Sequence, residues 1–163
     1  MRWFWTIAIG VALLAFEIGF VSNFRHLGGG PDFVLLFVIF LALYGPMDDA
    51  PISGWILGLA RDSLSGGVFG LYAVLYMALG FFLSRIRADI FLEYNASHIV
   101  NAAASTLLVY VGSSLWHWTE TGGFFLMLPL AFTVSLWNAF MAPLAFWFFF
   151  KFSRFLDTAR RPG

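Results

Sequence analysis

Cysteine is absent from the 163-residue chain, which excludes disulfides and thiolate metal sites and leaves the redox compartment unread. Charge is scarce: Asp, Glu, Lys and Arg make up 11% of residues, where a soluble domain carries roughly a quarter. The nine basic and nine acidic residues cancel, and a pI near 6.8 argues against a basic nucleic-acid-binding surface. No strand-like alternation, heptad run or internal repeat is visible, nor any P-loop, zinc motif or haem-ligand pattern. Apolar residues dominate instead, at 61% of the chain with a mean hydropathy of +0.84, including 21 Phe and 7 Trp. That balance predicts a polytopic, all-α membrane protein forming a single transmembrane domain over residues 1–163.

A membrane-spanning helix needs about 20 apolar residues. The first segment, Trp3–Val21, exceeds the roughly 7–15 residues of a signal-peptide core and lacks a small-residue cleavage site, so it reads as a retained helix. Gly28-Gly29-Gly30-Pro31 interrupts the chain before a second helix, Phe33–Tyr44, stopped by Gly45-Pro46. Pro51–Ala60 makes a third segment, too short to cross a full bilayer at about 1.5 Å per residue, and Arg61 and Asp62 follow it. Val68–Ser84, His98–Trp116 and Phe124–Phe150 complete a six-helix bundle, the last with Pro129 and Pro143 inside. Residues 88–97 form a mildly amphipathic stretch suited to an interface.

The distribution of basic residues orients the bundle. With six crossings and both termini inside, Arg2, Arg85, Arg87, Lys151, Arg154, Arg160 and Arg161 lie on the cytoplasmic face, and only Arg25 and Arg61 outside. The basic, aromatic tail from Lys151 is suited to anionic lipid, each cation contributing about 1 kcal/mol.

The stretch around Arg61 and Asp62 carries most of the information. It combines Pro31-Asp32, an unbroken apolar helix ending Leu41-Ala42-Leu43, and Gly54-x3-Gly58-Leu59-x2-Asp62-x2-Ser65-Gly66-x3-Gly70-Leu71. In that order these pieces resemble the rod shape-determining MreD family. The resemblance implies a non-catalytic inner-membrane component of the bacterial elongation machinery, without cofactors. It also implies MreC as direct partner, in a complex with RodA, a class B penicillin-binding transpeptidase and MreB. The fold it implies is similar to the S components of energy-coupling-factor vitamin transporters, which supplies an alternative function as a small-molecule-binding transport subunit.

Individual residues carry two readings each. Gly54 and Gly58 share a helix face, and Gly66 and Gly70 repeat the spacing after the Ser65-Gly66-Gly67 turn; they admit either close internal packing or a partner helix. Asp62 is expected to cap the following helix by accepting from Leu64 or Ser65, with Arg61 pairing to Asp62, Glu17 or a lipid phosphate. Glu17, about 21 Å along its helix, either bonds a neighbour such as Asn101, Ser105 or Asn138 or lines a ligand cavity. Ala8 and Ala12 mark a smooth face on the first helix. Asp48-Asp49 reads as a solvated loop or a helix cap rather than a magnesium site. Ser65 with His98 or His117 fails as a protease dyad: His98 falls on the opposite side, and Trp116-His117-Trp118 reads as an interfacial belt.

Overall fold

A computed structural model describes residues 2–21, 29–65, 68–87, 95–121 and 124–158. It contains six helices: α1 (Arg2–Val21), α2 (Phe33–Tyr44), α3 (Asp49–Ser65), α4 (Leu71–Ile86), α5 (Asn95–Thr121) and α6 (Phe124–Thr158). The α2 bounds are those the sequence predicts, because both ends are chemically marked. The Asp32 side chain accepts from the Leu35 amide at the N-terminus, and the Gly45 N–H returns to the Leu41 carbonyl before Pro46.

The third segment differs from expectation. It is not short: α3 has 17 residues, or about 25 Å, and Arg61 and Asp62 lie within the helix rather than in the turn after it. The charges end an apolar run without ending a helix, because each finds a partner elsewhere in the fold. At the other extreme, α6 has 35 residues, or about 52 Å, well beyond a hydrocarbon core of about 30 Å. Residues 88–94 of the amphipathic stretch lie outside the described part.

The short α2 is the axis of the fold. From Phe33 to Leu43 it has no polar residue, and Val34 through Phe40 are all buried. A helix apolar on every side is stable only when covered on every side, and α2 packs against each of the other five helices. Around it α1 packs on α3, α3 on α4, α4 on α5 and α5 on α6. The outer surface is apolar too. Phe140 and Leu136 on α6, Leu108 on α5 and Phe82 on α4 each expose more than three-fifths of their area. Segments Ala96–Trp116 and Leu128–Phe152 are long and apolar enough to cross a membrane.

The α3–α4 contact brings backbone against backbone and rests on glycine. A Cβ on Gly54 would lie 2.6 Å from the Tyr76 carbonyl oxygen, and one on Gly80 2.8 Å from the Ala50 carbonyl. One on Gly58 would collide with the backbone of Ala73. Of the two readings for Gly54 and Gly58, the structure therefore puts both against α4, and neither is available to a separate helix. Gly70 does not repeat this role: a Cβ there meets nothing within 4 Å, and its φ of +96° shows that it serves the turn into α4 instead. Gly66, Gly67 and the Ser65 side chain lie outside the described residues. On α1, Gly10 meets Leu57 of α3, Ala8 is half-buried and Ala12 faces outward.

Replacing Gly58 by leucine forces α3 and α4 apart. The expected loss is about 1–3 kcal/mol or more, as for overpacked cores, read as a lower unfolding midpoint in detergent. An unchanged midpoint would contradict this packing.

Candidate functional site

Three ionisable groups from distant parts of the chain meet inside the bundle. Asp32 is at the N-terminus of α2 and almost fully buried. Its Oδ1 accepts from the Leu35 amide at 2.8 Å, and its own N–H donates to Asn138 Oδ1 of α6 at 2.7 Å. Oδ2 receives the hydroxyls of Tyr76 from α4 at 2.9 Å and Tyr110 from α5 at 3.1 Å. It also pairs with Arg61 Nη1 from α3 at 2.7 Å. The same Nη1 reaches Glu17 Oε1 of α1 at 3.1 Å, while Nη2 donates to the Tyr110 hydroxyl at 3.0 Å. Glu17 Oε2 accepts from the Val34 amide at 3.4 Å. All six helices thus send a group to this hub.

Its surroundings support it. The guanidinium of Arg61 lies over the Tyr72 ring at 4.8 Å and near that of Tyr76 at 5.9 Å, so its faces meet π density while its edge donates. Asn138 passes the network outward, donating to Thr106 Oγ1 at 2.8 Å; that hydroxyl donates to the Ala102 carbonyl at 2.7 Å. The Arg61 and Glu17 side chains are 15% and 11% exposed against 1% for Asp32, so the hub closes most tightly around α2 and opens slightly toward α1. A charge in such a place is tolerable only when paired and hydrogen-bonded.

The two adjacent charges of α3 serve different sites. Arg61 points into the hub, pairing with Glu17 as one of the expected alternatives and with Asp32, which was not foreseen. Asp62 caps α4, as expected, but through other donors: the amides of Gly70 at 3.0 Å, Tyr72 at 3.1 Å and Ala73 at 3.1 Å, not Leu64 or Ser65. Those are amides that the first turn of a helix leaves unpaired. Glu17 bonds Arg61 and Val34 rather than Asn101, Ser105 or Asn138, and Asn101 turns back to the Ser97 carbonyl. Of the two readings for Glu17, a bonded acid or one lining a ligand cavity, the structure has it bonded within the protein, though to other partners than those named.

Sequence reasoning missed Asp32, Tyr76 and Tyr110 as hub members. Asp32 reads from sequence as a helix opener, which it is; its second oxygen gave no local sign of three further partners. The available signal was the isolation of the charges among apolar segments: Glu17, Asp32 and Arg61 have no partner at helical spacing and so must find one another.

The other end of the bundle is built differently. Arg87 donates to the Gly45 carbonyl, closing the end of α2, and Tyr44 contacts the His98 ring at 3.2 Å beside Phe146 and Phe150. Arg85 lies over Phe81 at 4.8 Å and Lys151 over Trp147 at 5.1 Å. Asp48 is exposed there, while Asp49 is buried in the first turn of α3. Among the described residues no group of three His, Asp or Glu could hold a metal ion. The His117 side chain and those of Arg154, Arg160 and Arg161 lie outside the described part.

Among the described residues the architecture is all-helical, with an internal ionic hub, an apolar exterior and two helices long and apolar enough to cross a membrane. The family model for the rod shape-determining protein MreD matches residues 1–156, and the chain belongs to that family. Membership implies a role in rod shape determination. Neither a curated protein nor a solved structure matches the chain.

Losing one partner of a buried ion pair typically costs about 3–5 kcal/mol, and losing a cap about 0.5–2 kcal/mol. Asp32→Ala is therefore expected to destabilise the protein well beyond Asp62→Ala in a denaturation series. Equal losses would show that the hub contributes no more than a helix cap.

Proposed function

We propose that this protein is a multi-pass scaffold of the bacterial inner membrane, with both termini cytoplasmic, that holds MreC and helps position the peptidoglycan synthases of the elongation machinery. One observation supports this reading above others: the ionic groups of the helices are spent on one another, while the outer surface is a continuous run of large apolar side chains. Glu17, Asp32 and Arg61 are engaged in the hub, and Phe132, Leu136, Phe140, Leu144 and Phe148 on α6 line one outward face at four-residue spacing. Such a body presents shape to lipid and to other helices, and association between helices in lipid rests on close packing and polar contacts. In this reading the protein binds and positions, and catalyses no reaction.

The six-crossing topology is supported by the bundle ends. Arg87, Tyr44, His98 and Phe150 meet at one end, next to Arg85 and Lys151, which makes that end the cation-rich one expected at the cytoplasmic surface. The hub then lies toward the outer side. MreB is reached from the cytoplasmic end, and RodA with its transpeptidase through MreC.

The test is affinity purification of the full chain from membranes in mild detergent, with the co-purifying proteins identified by mass spectrometry. MreC is expected to travel with it, and cells depleted of the protein are expected to round up. Purification with a tightly bound metabolite and no wall-synthesis protein would contradict the proposal.

A further inference from the structure

We propose that α1 is a separately releasable element, latched by Glu17 to an α2–α6 unit that supports itself. The hub is not symmetric among the helices. Asp32 bonds directly to α3, α4, α5 and α6, through Arg61, Tyr76, Tyr110 and Asn138. Helix α1 reaches the hub through Glu17, which contacts Arg61 Nη1 at 3.1 Å and the Val34 amide at 3.4 Å but does not bond Asp32. The same Arg61 nitrogen holds Asp32 at 2.7 Å.

Formal charge points the same way. Arg61 and Asp32 balance each other, and Glu17 is the surplus acid. Withdrawing α1 leaves the Arg61–Asp32 pair intact, with Tyr110 still bridging its two partners. It frees the Val34 N–H, in the first turn of α2, from its acceptor. Neither of the two hub charges that remain is left unpaired.

The apolar seat of α1 offers limited resistance. It packs on α2 and α3, through Leu14, Gly10 against Leu57, and Phe16 and Phe20 against Phe33. Its other side, with Val11 and Ile18, is about half exposed. Lipid tails are as apolar as the side chains they would replace, so in a bilayer the hydrophobic effect adds no net force. Helix α1 is held there by close packing, chiefly Gly10 on Leu57, and by polar contacts. Removing the Glu17 contacts takes away the charged part of that hold. Release of α1 uncovers Leu57 on α3 and the Glu17-facing edge of Arg61.

The cysteine-free sequence allows a direct test with the full chain in lipid bilayers. Spin labels on cysteines introduced at Ile18 of α1 and Phe140 of α6 report the position of α1. A second pair, at Phe82 of α4 and Phe140, reports the rest of the bundle. All three positions are outward-facing. With Glu17→Ala, the 18–140 distance distribution is expected to broaden and shift, while the 82–140 distribution stays as in the parent. An 18–140 distribution that does not change would overturn the latch. Broadening of both pairs, or failure of the Glu17→Ala protein to accumulate, would overturn the self-supporting unit.

Discussion

A charged group carried into an apolar interior must be met by partners, and in this protein the requirement of Asp32 organises everything else. Its carboxylate and amide together draw on Arg61, Tyr76, Tyr110 and Asn138 while capping the helix that it starts. Because Asp32 sits at the tip of α2, satisfying it fixes the end of the one helix that every other helix touches. The cost of burying the charge is offset only if all these donors arrive together. The hub therefore selects one arrangement of α2–α6 among the many that apolar surfaces alone would tolerate, and Glu17 joins α1 to it.

The glycine contacts of α3 and α4 serve that arrangement. Gly54, Gly58 and Gly80 let the two backbones touch, and the Asp62 cap ties the C-terminal part of α3 to the first turn of α4. With the two helices locked in this register, Arg61 and Tyr76 both fall beside Asp32. Close packing and the ionic hub are thus successive steps of one construction: backbone contact sets the position, and charge pairing makes it unique.

Much of the architecture could be read from the chain. The segment count and the bounds of α2 follow from apolar run length, Pro31-Asp32 and Gly45-Pro46. The cap by Asp62 and the pairing of Arg61 with Glu17 were among the readings the residues allowed. What could not be read were facts of long-range contact. The length of α3 was misjudged because Arg61 and Asp62 look like an ending until their partners in α1, α2 and α4 are known. Gly54 and Gly58 carry the same spacing whether they meet their own bundle or another protein, and only the position of α4 distinguishes the two. Hydropathy misleads about α2 as well: an apolar run suits lipid, yet this one is enclosed by protein.

Membership of the MreD family gives this construction a setting in rod shape determination. A double-mutant cycle on Asp32→Asn and Arg61→Met, read by unfolding free energy in detergent, tests the central claim most directly. Groups joined in one network are expected to show a coupling of about 1–3 kcal/mol, with the double variant losing less than the sum of the single losses. Strict additivity would show that the two residues act independently and that the hub does not hold the helices together.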